Sequence, residues 1–392
     1  MSETIKLYEH DSHLCAFDAM VLSCVPQQNA YAVVLDRTAF YPLGGGQPAD
    51  RGQLGDVRVI EVRNQTGCIV HLTDAPLSPG ELTHGEIDWP YRRMLMQQHS
   101  GEHIVSGLIH SRFGYDNTGF HMGAASTVID FSGPISAEQL QQIECAANEV
   151  IYQNLPVLTQ VPSEELRTKM QYRSKIPLRG RVRIVQIPGV DQCACCGTHV
   201  KYTGEIGLIH LFAPQKHKGG TRFQLLCGDK ALRDYQQKDA QIASLSSLLS
   251  AKPEEVYTSA SHLREQYEKL RRQVDELALQ VLRQRVEQID VQAPLLCCIT
   301  QGLTPVQLRQ YCLLLCEKAT QVLVISGSDA TGYQYAWGSL KQDARSLHQI
   351  WAAQCGARGG GTQELLQGKC NCPRTQMEQA LLALQVQVQW VV

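Results

Sequence analysis

Two short strings, far apart in the chain, limit its fold more than any other feature. Residues 99–103 read His-Ser-Gly-Glu-His, and residues 193–199 read Cys-Ala-Cys-Cys-Gly-Thr-His. A zinc ion takes about four ligands in a tetrahedron, so neither string completes a site alone. If both serve one ion, the fold must press the segment near 195 against the segment near 100. The first string falls in a predicted helix: Asp88 is a capping residue, Pro90 sits in the first turn and Gly114 ends the pattern, which carries the helix to about Phe113. His99 and His103 then stand one turn apart on one face. Cys195 and His199 repeat that spacing. The candidate zinc ligands are His99, His103, Cys195 and His199, with Cys193 and Cys196 as competing thiols.

The first string also fits the His-x-x-Glu-His pattern of inverted-motif zinc peptidases, in which Glu102 would be the general base. Such peptidases are expected to draw a third ligand from a downstream glutamate. Here the available partner is a Cys-x-x-x-His, which weighs against that reading. The plain alternative for Glu102 is an exposed helix glutamate.

Apolar residues are 43% and charged residues 19% of the 392, enough for two to four domains with their own cores. No apolar run approaches the roughly 18 residues of a membrane span, and the polar start MSETIKLYEHDS does not read as a signal peptide. Fifteen cysteines without a secretion signal suit a reducing cytoplasm, with thiols free or metal-bound. The net charge of −2 hides a basic run, Arg167, Lys169, Arg173, Lys175, Arg179, Arg181 and Arg183, with no acid among them. Lys216, His217, Lys218 and Arg222 form a second cluster. Each reads as a solvated face or as a surface that tracks phosphates.

The pattern predicts an α+β, multidomain chain. Residues 1–87 alternate short apolar runs with turns, as in a small antiparallel β-barrel. Residues 88–235 mix helices and strands around the zinc ligands. Residues 236–290 are helical, and Leu263, Tyr267, Leu270, Val274, Leu277 and Val281 keep heptad spacing. That seam suits a coiled-coil homodimer, or a hairpin with the preceding helix through Ile242, Leu245 and Leu249. Residues 291–392 read as a compact α/β domain.

The string Thr38 to Gly52, TAFYPLGGGQPADRG, needs its own explanation. Gly44, Gly45 and Gly46 allow close backbone approach or positive φ, and no Gly-Lys-Ser/Thr follows to make a phosphate loop. With His-x-x-x-His and Cys-x-x-Thr-His, this string resembles the editing domain of alanyl-tRNA synthetase and its free-standing relatives, the AlaX alanyl-tRNA editing proteins. The two zinc half-motifs also occur in threonyl-tRNA synthetase editing domains; the glycine-rich string points to the alanyl branch. Gly356-Ala357-Arg358-Gly359-Gly360-Gly361 resembles the signature of the DHH-associated domain that ends alanyl-tRNA synthetases. The order of parts is similar to the long form of AlaX. Two departures stand out. Cys196 replaces a usual glycine, and Glu102 occupies a position that is not acidic in many relatives. Nothing resembles an ATP-binding, amino-acid-activating domain.

The resemblance implies a trans-acting hydrolase that cleaves the aminoacyl ester of mischarged tRNA-Ala, with serine as the expected cargo and glycine as a second. A pocket sized for alanine rejects a slightly larger isostere only weakly and cannot exclude glycine, so a second, hydrolytic site is needed. It implies Zn2+ on the four ligands, either activating water or anchoring the site. Thr38, Gln47 and Glu102 become the candidate catalytic group, with Thr38 expected to read the serine hydroxyl. Gly44, Gly45, Gly46, Arg222 and Arg358 become candidates for substrate binding, and the C-terminal domain is expected to contact the tRNA body. A non-catalytic, zinc-stabilised tRNA-binding module is the other alternative.

Overall fold

The computed structural model describes residues 3–123, 126–174 and 180–391. Lys175 and Arg179 of the basic run lie outside the described residues. The chain forms two compact units, Met1–Ser244 and Leu245–Val392.

The first unit begins with six antiparallel strands that close on themselves. Their order is Ala16–Gln27, Ala30–Leu35, Cys68–Thr73, Val57–Gln65, Gly52–Leu54 and Leu82–Ile87, which pairs back to the first. Alternation places Phe17, Ala19 and Val21 inside, between the outward Ala16, Asp18 and Met20. Opposite them Gly85 makes room, because a Cβ there would meet the Phe17 ring at 2.5 Å.

Helix α1, Trp89–Phe113, follows directly. The Asp88 side chain accepts the Tyr91 N–H, Pro90 occupies the first turn and Gly114 closes the helix at φ 70°. Every residue from Leu95 to Gly107 is buried, so α1 is a central helix enclosed on all sides. Two glycines permit this. A Cβ on Gly101 would meet the Cys227 Sγ at 2.3 Å, and one on Gly107 the Val190 carbonyl at 2.4 Å. Around α1 pack helix α2, Ala137–Tyr152, capped by Ser136, and a sheet ordered Ile209–Leu211, Gly220–Cys227, Thr127–Phe131 and Asn117–Met122. Ile104, Ile109, Phe131, Ile143 and Phe223 share this core. A small sheet of Leu158–Gln160, Ile184–Ile187 and Asp191–Ala194 completes the layer and releases the chain at Cys195.

Arg92, fully buried on α1, ties the helix to the barrel. Its Nε donates to Asp50 at 2.8 Å, Nη2 reaches the same carboxylate, and Nη1 donates to the Ser12 carbonyl at 2.8 Å. Asp50 therefore ends the glycine-rich string as an anchor.

The second unit is a mixed sheet with helices on both faces. Its order is Arg358–Gly361, Leu365–Cys370, Gly332–Gly338, Gln321–Ser328, Leu295–Thr300 and Val388–Val391, the last three strands parallel. Pro305–Cys316 and the end of Val256–Glu287 cover one face; Arg345–Cys355 and Arg374–Leu382 cover the other. The seam residues Leu263, Tyr267, Leu270, Val274, Leu277 and Val281 are each at least 50% exposed. No helix among the described residues is long and apolar enough to cross a membrane.

Candidate metal centre and active site

Helix α1 presents His99 and His103 to the segment that leaves strand Asp191–Ala194, and Cys195 and His199 meet them there. One ligand atom from each of the four lies within 4.8 Å of the others. The Cys195 Sγ is 3.4 Å from His99 Nε2 and 3.3 Å from His199 Nε2. In a zinc tetrahedron with ordinary bond lengths a nitrogen and a sulfur ligand stand about 3.5 Å apart. The two sulfur–nitrogen spacings match that tetrahedron, and the donor types suit zinc.

A partner on the far nitrogen orients each imidazole. His99 Nδ1–H donates to Gln47 Oε1 at 2.8 Å, and His103 Nδ1–H donates to Asp191 Oδ2 at 2.8 Å. These oxygens only accept, so the proton sits on Nδ1 and the Nε2 lone pair faces the centre. His199 Nδ1 meets Ser100 Oγ at 3.2 Å, and the same oxygen accepts the Val200 N–H. Arg173 forks onto Asp191 at 2.7 and 3.0 Å. Gly197 is required where it stands, because a Cβ would meet the His99 ring at 2.1 Å.

The electrostatics suit a cation. Burial opposes the Cys195 thiolate, but the neighbouring histidines outweigh it and hold the thiol well below its ordinary value. Burial pushes His199 down to about 3, favouring the neutral ligand form. His103 goes the other way: hydrogen bonds to Asp191 and Cys195 overcome burial and hold the imidazole well above its usual value, so a bound metal would have to displace the proton from Nε2.

Glu102 is not an exposed helix glutamate. It is buried, with Oε1 held by Ser106 Oγ at 2.7 Å and Asn117 Nδ2 at 2.5 Å. Its Oε2 stands 4.0 Å from His103 Nε2. The residue lines a cavity of about 340 Å³ that also touches His99, His103, Cys195, Phe120, Arg173, Arg181 and Arg183. Arg183 Nη1 donates to the carbonyls of Cys195 and Gly197 at 3.1 and 2.8 Å, while its buried Nε has no partner among the described residues. The centre opens onto this cationic wall.

Several expected site residues are placed elsewhere. Thr38 is fully buried in the barrel, its hydroxyl 2.9 Å from His71 Nε2, and it does not line the cavity. His71 Nδ1–H donates to the Val33 carbonyl, so Nε2 must accept and the Thr38 hydroxyl must donate to it; the Phe40 N–H takes the hydroxyl's lone pair. Its donor and one of its two lone pairs are thus engaged inside the barrel. Gly45 and Gly46, at φ 60° and 83°, form a two-residue turn closed by Gly44 and Gln47. Only Gly45 of the three lines the cavity. The turn's effect is to deliver Gln47, whose Oε1 also accepts the Thr198 N–H and whose Nε2 donates to Thr198 Oγ1 at 2.8 Å. Gln47 is a positioning residue for His99. Arg222 is occupied by a bidentate pair with Asp130 at 2.6 and 2.8 Å, away from the cavity lining. Arg358 is exposed on the edge strand of the second unit.

Asp191 and Ser100 were not singled out in the sequence as site residues, and Arg183 stood out only as a member of the basic run. Asp191, Cys193 and Cys195 follow at period two and so share a strand face, a signal that could have linked the acid to the ligands. The basic run is largely committed: Arg167 donates to the Gly180 carbonyl at 2.5 Å and Arg181 pairs with Glu9 at 2.7 Å.

Residues 182–223 match the family model described as threonyl and alanyl tRNA synthetase second additional domain, and residues 8–91 match tRNA synthetases class II (A). The alanyl-tRNA editing protein Aarsd1 of Danio rerio is 30% identical over 282 residues, 67% of this chain and 68% of that protein. The chain belongs to the alanyl-tRNA editing proteins. Aarsd1 of Mus musculus is 33% identical over 261 residues, covering 62% of this chain and 63% of the relative. Alanine--tRNA ligase of Natronomonas pharaonis is 33% identical over 302 residues, 73% of this chain but 32% of the ligase. The chain thus spans about a third of that ligase and just under two thirds of the mouse protein. Within the editing family, the matched segment 182–223 contains Cys195 and His199, and α1 brings it the other two ligands.

Proposed function

We propose that this protein hydrolyses the ester between a wrongly attached amino acid, serine or glycine, and the 3′ end of tRNA-Ala. The observation that carries the reading is the convergence of His99, His103, Cys195 and His199, the first three lining a cavity also lined by Arg173, Arg181 and Arg183. At about 340 Å³ the cavity is at the small end of ligand sites, suited to a terminal nucleoside bearing a small amino acid. Zinc held by these four residues would polarise the ester carbonyl or activate water if a position opened, and would anchor the site if all four stayed bound.

The chain's own groups do the rest. Glu102, its Oε1 fixed by Ser106 and Asn117, holds Oε2 toward the cavity, where it takes the proton of the attacking water. Arg183, whose buried Nε has no hydrogen-bond partner among the described residues, faces the anionic backbone beside the terminal nucleotide. The C-terminal α/β unit, DHH-associated in type, binds the tRNA body, and the protein works in the cytoplasm. A peptidase is disfavoured because Cys195 and His199 take the places that a downstream glutamate and a water would fill.

Deacylation of Ser-tRNA-Ala and Gly-tRNA-Ala, before and after removal of metal by a chelator, tests the reading. Loss of the ester only in the metal-loaded protein supports it. A peptidase or a binding module leaves the ester intact.

A further inference from the structure

Three thiols of the second unit converge as the editing ligands do, but without histidine or carboxylate among them. Cys355 is the last residue of helix Arg345–Cys355, Cys370 the last residue of strand Leu365–Cys370, and Cys372 lies just before the helix that starts at Arg374. Their sulfurs all lie within 4.8 Å of one another. Cys370 Sγ is 3.1 Å from Cys372 Sγ and donates to the Cys355 carbonyl at 3.4 Å. Cys355 and Cys370 are buried and Cys372 is half-buried, so the cluster is closed on its inner side and reachable at one edge.

We propose that Cys355, Cys370 and Cys372 form a second metal site, for a thiophilic ion such as Zn2+ or Cu+, independent of the editing centre. Sulfur-only donors exclude Mg2+ and Ca2+, which take oxygen ligands, and select the soft ions. Two sulfurs on a zinc tetrahedron stand about 3.8 Å apart; Cys370 and Cys372 are already at 3.1 Å, and no pair of the three sulfurs is more than 4.8 Å apart. Binding releases the thiol protons to solvent as the metal–sulfur bonds form. The half-buried edge at Cys372 leaves a fourth position for water or an exogenous ligand.

Cys355 ends a helix and Cys370 ends a strand, while Cys372 sits in the short connection to the next helix. Cys355 and Cys370 also bracket the antiparallel pair Arg358–Gly361 and Leu365–Cys370. A metal there pins the open end of that pair and fixes the exposed glycine strand carrying Arg358.

The test is a Co2+ titration of the full-length, metal-free protein, read in the near-ultraviolet, where sulfur-to-cobalt charge transfer scales with the number of thiolates. Two equivalents are expected, one with about three times the absorbance of the other, since three thiolates face one at the editing centre. Cys195→Ser should remove the weaker band and leave the stronger. Cys372→Ser, at the solvent edge where folding is least at risk, should cut the stronger band by about a third or abolish it. Displacement of that band by Zn2+ or by Cu+ names the ion. One equivalent in all, lost with Cys195→Ser, overturns the proposal. So does a second band unaffected by both Cys372→Ser and Cys355→Ser. A disulfide among the three in protein purified without reductant, with no second equivalent after reduction, also overturns it.

Discussion

Replacing Gln47 with methionine tests whether the metal centre depends on a residue that touches no metal. Methionine fills a similar volume and removes both hydrogen-bonding ends of the amide. Three bonds disappear: His99 Nδ1–H at 2.8 Å and Thr198 N–H at 3.1 Å lose their acceptor, and Thr198 Oγ1 loses a donor. His99 can then rotate or shift its proton to Nε2, the atom that should face the ion. Loss of a partner of this kind weakens metal affinity by about 10- to 100-fold, or roughly 1.4–2.7 kcal/mol. Each orphaned donor adds about 1–3 kcal/mol of destabilisation to the metal-free fold. Zinc affinity is measured by competition with a chromophoric chelator, and deacylation of Ser-tRNA-Ala is followed at saturating zinc. Gln47→Glu is the control. Its carboxylate still accepts from His99 and Thr198, while the Thr198 hydroxyl can turn to donate. We expect Gln47→Glu to bind zinc at least as tightly as wild type and Gln47→Met to bind it 10- to 100-fold more weakly. Wild-type affinity in Gln47→Met, or an equal loss in both variants, would refute the assignment of Gln47 as the orienting partner.

Glu102→Gln should lower deacylation by roughly 10²-fold or more with zinc stoichiometry unchanged, and a fall under about threefold would remove the general-base role. Thr38→Val should leave the ratio of Ser-tRNA-Ala to Gly-tRNA-Ala hydrolysis alone and lower stability by about 1–3 kcal/mol, because His71 Nε2 loses its donor; a selective loss on serine, measured by kcat/KM, would return Thr38 to the pocket. His71 makes stability pH-dependent. Burial lowers it from 6.5 to about 4, so the unfolded chain takes up a proton that the fold refuses. Its stabilisation is complete above pH 6.5, declines as pH falls and is gone below about 4, a change of roughly 3 kcal/mol. Denaturant titrations of wild type and His71→Asn across that window should differ in slope, and parallel curves would contradict the buried neutral imidazole. Removing the second unit should weaken tRNA binding and flatten its salt dependence with the editing zinc retained; an unchanged salt slope would free that unit of any tRNA contact.

The ends of α1 were legible because capping is local. Asp88, Pro90 and Gly114 satisfy or terminate backbone groups within a few residues, and the i, i+4 spacing of His99 and His103 follows from helix geometry alone. The four ligands could be named for a similar reason, since zinc demands about four donors and the chain offers two matched pairs. Which residues support those ligands was not legible. Gln47 reaches His99 across 52 positions and Asp191 reaches His103 across 88, and no local pattern encodes such distances. Glu102 reads in the sequence equally as a general-base candidate and as an exposed helix glutamate, and only enclosure of α1 between the two sheets and α2 turned it inward. Thr38 is the opposite case. It heads a string that reads as a pocket motif, yet its neighbours share different tasks: Asp50 anchors Arg92, Gly45 and Gly46 turn the chain, Gln47 enters the site, and Thr38 closes a bond inside the barrel. Side-chain identity determined what chemistry each residue could perform. Packing decided which residue had a donor or a lone pair left to perform it, because a buried polar group uses its hydrogen bonds where the fold places it.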